Sequence, residues 1–207
     1  MIKNIAFERK TALERRQELI EAGILCLGKG GMSAFTIDQI CKQARVSRGL
    51  INHHFDTKED LLLCIYAQMT EYLLRDISHK SPFEQIASFI ESSFDKNSFK
   101  KSNLRAWLAI WGEVATNSRM KALHQERYAR YKQQLITALQ HIASSTGLTL
   151  DAEYVARHLI ALIDGLWLEY CLHSEGFSLS SAKADCYQFL QTQGVTIKIA
   201  SQHHRGI

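Results

Sequence analysis

Four neighbouring side chains, Arg48, Asn52, His53 and His54, carry the densest hydrogen-bonding chemistry in the sequence. Arginine and asparagine are the side chains that match guanine and adenine edges in the DNA major groove. Histidine adds a donor for a base or a phosphate oxygen. Projected outward from one short helix, the four predict contact with double-stranded DNA.

No comparable constellation points to catalysis. The sequence holds no Gly-x-Gly-x-x-Gly, phosphate-binding loop, Gly-x-Ser-x-Gly or His-Glu-x-x-His. His124, His141, His158 and His173 are dispersed and read as helix-surface residues. Five scattered cysteines (Cys26, Cys41, Cys64, Cys171, Cys186) lack zinc spacing, so no metal or other cofactor is expected. Their odd number, with no secretory leader, predicts reduced thiols in a cytoplasmic protein, and the missing catalytic motifs predict that it is not an enzyme. The longest apolar run, Leu159 to Leu168, is broken by Asp164 and is too short to span a bilayer, so no membrane partner is expected.

The donors need a rigid support, and residues 36 to 55 read as a helix-turn-helix. Thr36 caps a first short helix and Ser47 a second, whose first amides suit a phosphate. Ile37, Ile40, Ala44, Val46, Ile51 and Phe55 supply a small core, Ala44 being small enough for close helix packing. Gly49 in mid-helix costs about 1 kcal/mol against alanine; close approach to a DNA backbone would account for it. Residues 1 to 55 hold nine Lys or Arg (among them Lys3, Arg9 and Lys10) against five acids, a surplus equal to the chain's whole net charge of +4. A basic end on a neutral body suits phosphate contact.

The remainder predicts an all-α protein of about nine helices. One proline in 207 residues and 46% hydrophobic residues fit a helical chain with a substantial core. The first helix runs from about 9 to 28 and ends at Gly28, Gly30 and Gly31. After a cap at Asp56 or Thr57, Leu61, Ile65, Met69, Leu73 and Ile77 predict one helix to about Lys80, a lever from body to head. Further helices run from Pro82 to about Asp95, from Asn103 to about Thr116, and on to about Ser144. Two more span Asp151 to about His173 and Ser180 or Ser181 to about Gln191. In the first of these, Val155, Leu159, Leu162, Leu166 and Tyr170 form one apolar stripe, while Ile160, Ile163, Trp167 and Cys171 form another. One stripe is expected to face inward and one a second subunit. The tail with His203 and His204 is uninformative.

The body also carries residues suited to an organic cation. A quaternary ammonium binds between aromatic faces, often beside a carboxylate. Trp107, Trp111, Trp167, Tyr128, Tyr131 and Tyr170 supply rings; Glu113 and Asp164 supply carboxylates. The ligand-binding set read from these is Trp107, Trp111, Tyr128, Asp164 and Trp167, against the plainer reading that the rings are core. Asp164, within the most apolar segment, needs a partner: a ligand cation, Arg105 or the opposite subunit.

Thr36, Ala44, Val46-Ser47, Gly49, His54-Phe55 and Lys58-Glu59-Asp60-Leu61-Leu62 resemble the signature of the tetracycline-repressor (TetR) family. Two residues depart from it: Arg45 stands where the family usually has glycine, and Asn52 replaces a tyrosine. The resemblance implies phosphate contacts from Thr36 and Lys58, with Arg48, Asn52 and His53 in the major groove and His54 at the backbone. Arg45, as a departure from the family, adds a candidate phosphate contact of its own, beside the helix-start amides at Ser47 and the close backbone approach at Gly49. It divides the chain into a DNA-binding domain over 1–56 and a ligand-binding and dimerisation domain over 57–207. The segments 104–111 and 161–168 are further similar to the BetI branch, repressors relieved by choline. The implied protein is a repressor that binds palindromic operator DNA as a homodimer and is released by a small-molecule effector. Rival readings are a TetR-type regulator with an unrelated ligand, and a helical interaction module without DNA binding. Only the regulators should bind duplex DNA with a steep salt dependence.

Overall fold

Thr11 opens the first helix with a reciprocal cap. Its hydroxyl accepts from the Glu14 amide at 3.2 Å, while the Glu14 carboxylate accepts from the Thr11 amide at 2.7 Å. In this computed structural model, which describes residues 11–75, 77–95 and 101–197, nine α-helices and one 3-10 turn follow one another without a strand among those residues. The basic residues Lys3, Arg9 and Lys10 and the tail histidines His203 and His204 lie outside the described residues.

The described residues divide into two compact units. The first joins the chain up to Met69 with Lys101–Met120 and contains α1 (Ala12–Ala34), α2 (Ile37–Ala44), α3 (Arg48–His54), α4 (Lys58–Met69) and α6 (Lys101–Thr116). The second joins Thr70–Lys100 with the chain from Lys121 and contains α5 (Pro82–Ser93), most of α7 (Ser118–Thr146), α8 (Ala152–Leu172) and α9 (Leu179–Thr192). These units group elements by packing, whereas the boundary expected at residues 56 and 57 groups them by role.

In the first unit α1 packs on α2, α4 and α6. Its regular winding stops at Gly30 and Gly31, the latter at φ 63° and ψ −151°, which only glycine adopts readily. Leu19, Leu27, Phe35, Ile40, Ile51, Phe55, Leu61 and Ile65 are almost fully buried and form the centre of this core. Ile37, Ala44 and Val46, expected in it, are only half-buried. Gly23 permits the closest approach, since a Cβ there would collide with the Ile65 side chain of α4.

The expected lever to Lys80 is not one helix. α4 ends at Met69, Glu71–Leu74 tightens into a 3-10 turn, and Arg75 leaves helical geometry at φ −58°, ψ 141°. The four-residue rhythm of Leu73 and Ile77 suits an interrupted path as well as a continuous one. Thr70, Ser78 and His79 are weak helix formers that do not enforce continuity.

In the second unit α5 begins as its sequence dictates. Ser81 caps it in a reciprocal pair with Glu84, and Pro82 occupies the first helical position, where no amide is needed. α8 begins at the expected cap, Asp151 accepting from the Tyr154 amide at 2.9 Å. α9 is capped by Ser178, two residues before the expected Ser180. Ile86, Ile90, Leu139, Ile142, Leu159, Ile160, Cys186 and Leu190 fill the core.

The two stripes of α8 do not face opposite ways. Val155 and Leu159 of one and Ile160, Ile163 and Trp167 of the other are all buried within this chain. The stripes are neighbours on the helical wheel and merge into one broad inward face. The outward apolar face is a third one, Tyr154, His158, Ala161, Gly165, Leu168 and Leu172, at alternating spacings of four and three. Tyr154 and Leu168 are each 41% exposed and Leu172 is 62% exposed.

Candidate nucleic-acid interface

The helix-turn-helix forms as α2 and α3. Thr36 caps α2 by accepting from the Gln39 amide at 3.2 Å. Arg45 ends it at φ 57°, ψ 47°, the sole non-glycine residue with positive φ among those described. The turn needs a left-handed residue, hence glycine elsewhere in the family; here arginine accepts the strain and keeps its side chain exposed. The Arg45 and Val46 amides both return to the Cys41 carbonyl, closing the turn tightly.

Ser47 stands at the cap position of α3, but its side chain makes no capping hydrogen bond. Ile51 turns into the core and Phe55 anchors the end of α3, with the Arg16 guanidinium 4.9 Å from the Phe55 ring. That anchoring leaves Arg48, Gly49, Asn52 and His53 exposed along the outer face of α3. A Cβ at Gly49 would meet only the Ser47 hydroxyl, at 3.9 Å, so nothing inside the chain demands a glycine there. His54 is half-buried, with its ring 5.1 Å from that of His53. Desolvation first, then the positive potentials of His53 and Arg16, hold the His54 imidazole below its ordinary pKa. Lys58 opens α4 on the same exposed rim, its ammonium 5.8 Å from the Phe35 ring.

Two acidic features escaped the sequence reading. Asp38 of α2 accepts from Nε of Arg48 at 2.7 Å and pairs with Nη2 of the same guanidinium. Glu59 and Asp60, at the start of α4, receive Arg119, and Asn117 donates to Glu59 at 2.6 Å. Separations of ten and about sixty residues leave no periodic trace, so only the folded chain reveals them.

The residues read as effector ligands occupy both units. In the first, Trp107 is buried and its ring lies 6.0 Å from Tyr66 and 6.2 Å from Trp111. In the second, Tyr128 stands 5.1 Å from Tyr131, which stacks on Phe89. Trp167 is buried and its indole N–H donates to the Ser93 carbonyl at 2.9 Å, so its donor is already used. His124, expected at the surface, is half-buried 5.8 Å from Tyr128, and desolvation lowers its pKa.

Asp164 keeps a solvent-exposed edge, yet the protein crowded around it strips enough water to raise its pKa to about 6. Its charge also contributes, after burial, to raising the Tyr128 hydroxyl. Among the described residues no cation forms an ion pair with Asp164. No cluster of three His, Cys, Asp or Glu among those residues would hold a metal.

Residues 19–65 match the tetR family of bacterial regulatory proteins, and residues 82–194, more than half the chain, match the C-terminal domain of BetI-type transcriptional repressors. The chain belongs to the TetR family. This TetR-family chain is a DNA-binding transcriptional regulator of BetI type, and regulators of this family bind operator DNA and small-molecule effectors. It is 29% identical over 177 residues to the HTH-type transcriptional regulator BetI of Serratia proteamaculans (strain 568), covering 82% of this chain and 87% of that protein. It is 27% identical to the BetI regulator of Pectobacterium carotovorum subsp. carotovorum (strain PC1), covering 86% and 93%. A crystal structure described as a transcriptional regulator from Pseudomonas aeruginosa PAO1 superposes with a TM-score of 0.75 at 31% identity, over 92% of this chain and 95% of that one. Another, from Saccharomonospora viridis in complex with choline, has a TM-score of 0.75 at 22% identity over 86% and 96%, a likeness of fold.

Proposed function

We propose that this regulator represses transcription as a homodimer on a palindromic operator and leaves it when an organic cation of the choline class binds the second unit. Thr36, Arg45, Ser47, Lys58 and His54 take phosphates in this reading, while Arg48, Asn52 and His53 enter the major groove beside Gly49. A two-fold dimer spaces two such helices by one DNA turn, about 34–36 Å.

The observation that carries the effector half is Asp164. A carboxylate held up to about 6, with no cation paired to it among the described residues, gains most from a ligand that brings positive charge. Tyr128, coupled to it through its own raised hydroxyl, supplies an aromatic face of the kind that attracts a quaternary ammonium. The choline-bound structural neighbour and the BetI-named relatives support the same ligand class. The spent donor of Trp167 favours a core role, and the site proposed on the second unit is built on Asp164 and Tyr128.

The outward face of α8 supports the dimer. Gly165 sits mid-helix in open space, where glycine costs about 1 kcal/mol against alanine without an internal reason. The approach of a second copy's backbone supplies one.

The experiment is a gel-shift titration with choline, glycine betaine and a neutral isostere of choline. Choline should release the operator through a coupling of about 1–3 kcal/mol, and the neutral isostere should not. Equal release by the isostere would remove the cation from the mechanism. On the DNA side, replacing Arg48, Asn52 and His53 together by alanine should abolish operator preference, and unchanged affinity would end that reading.

A further inference from the structure

Arg48 enters α3 as its first residue, and Asp38 lies in the first turn of α2. We infer that Asp38 is a positioning residue that presents Arg48 end-on to a guanine in each operator half-site. The inference rests on Arg48 reading bases, as proposed above.

The geometry distinguishes the two edges of the guanidinium. Nε donates to Oδ1 of Asp38 at 2.7 Å, and Nη2 pairs with the same oxygen. Asp38 therefore occupies the side edge of the fork. The end edge, formed by Nη1 and the second N–H of Nη2, keeps two parallel donors. Two parallel donors match the O6 and N7 acceptors that guanine displays in the major groove. A guanidinium tethered by its side edge also loses rotational freedom before DNA arrives, so less is lost when it docks.

Stability gives a weaker reason for the pair. Both side chains are largely exposed, 69% for Arg48 and 65% for Asp38, and ion pairs so open to water add little. A carboxylate beside a helix that must approach phosphates also weakens general attraction to DNA. Its place against the leading recognition arginine is explained by orientation.

Selection of bound sites from random duplex DNA separates the possibilities, using the wild type, Arg48→Ala, Asp38→Ala and Asp38→Glu. The wild type should select a symmetric site with one strongly preferred guanine per half. Arg48→Ala should lose that preference. Asp38→Ala should lower it at the same position by about tenfold, within the range of one bidentate base contact, while binding non-specific duplex as well as or better than the wild type. Asp38→Glu, which restores the carboxylate on a longer arm, should recover part of the preference. If Arg48→Ala loses the guanine but Asp38→Ala keeps it, Asp38 does not position Arg48 and the inference fails alone. Tighter binding of every sequence by Asp38→Ala, with the guanine intact, fails it likewise by reducing Asp38 to a charge brake. If Arg48→Ala itself leaves the preference unchanged, the reading of Arg48 at the groove falls, and the inference with it.

Discussion

Arg119, in the first turn of α7, grips Glu59 at the start of α4 at 2.5 Å, with its second nitrogen on Asp60 at 2.7 Å. Within the first unit this fork ties the start of α7 to the segment that follows the recognition helix. Hydrogen bonds from Asn117 and then Arg119 hold the Glu59 carboxyl below its ordinary 4.5; Thr57 and then Arg119 hold Asp60 below 3.8. Lowered carboxyl values stabilise the fold at pH above those ordinary values, and the contribution is lost as pH falls through the folded ones. Arg119→Ala should therefore lower Tm modestly at neutral pH. The two melting curves, followed by circular dichroism, should converge as the pH drops below about 4. A constant gap down to pH 2 would mean that the clamp adds nothing through its charges.

Arg45→Gly should move stability and DNA affinity in opposite directions. Relief of the left-handed strain should stabilise the head by up to about 1 kcal/mol. Loss of a phosphate contact should weaken operator binding and reduce the slope of log affinity against log salt by about 1. Thermal melts and binding at several salt concentrations check both. An unchanged salt slope would leave Arg45 as strain without a role at the DNA.

Asp164→Asn tests the raised carboxyl. Ionising Asp164 in the folded protein is unfavourable, so the penalty is full above about 6 and fades as pH falls toward the ordinary 3.8. The amide should thus raise Tm above pH 6, by about 2–4 °C once the water at its open edge is allowed for, and the gain should vanish near pH 4. Calorimetry for choline should show weaker binding to the variant. For the wild type, affinity should decline as pH drops through 6 and the carboxyl takes up a proton.

The outward face of α8 should be needed for association. Leu168→Glu places a charge amid Ala161, Gly165 and Leu172 without touching the chain's own core, since Leu168 is 41% exposed. Sedimentation should show a monomer that remains helical, and operator affinity should fall because half-sites are then bound singly. Gly165→Ala should stabilise a monomer by about 1 kcal/mol yet weaken the dimer, because the added methyl stands where the partner's backbone would pass.

Much of the candidate site was legible in residues 36 to 58. Thr36 caps where its type and position demand, and Ile51 and Phe55 point inward as the helical period requires. The donors between them are left outside by elimination. The conflict at Arg45 was also visible, as a side chain at a turn that calls for positive φ. Asp38 was not legible, because an exposed acid on a neighbouring helix looks like any solvated charge. The outward face of α8 was missed for a compositional reason: Ala161, Gly165 and His158 do not register as apolar in a stripe of Leu, Ile and Val.

Caps, breaks and helical period act over three or four residues, so the amino-acid string alone settled the all-helical class, the start of α5 at Ser81–Pro82 and that of α8 at Asp151, and the helix-turn-helix. Where α4 stops, which side of α8 remains open, how Arg48 is held and why Asp164 resists ionisation depend on atoms distant in the chain. Solvation and charge are set by whatever packs nearby in space, and only the tertiary structure decides that.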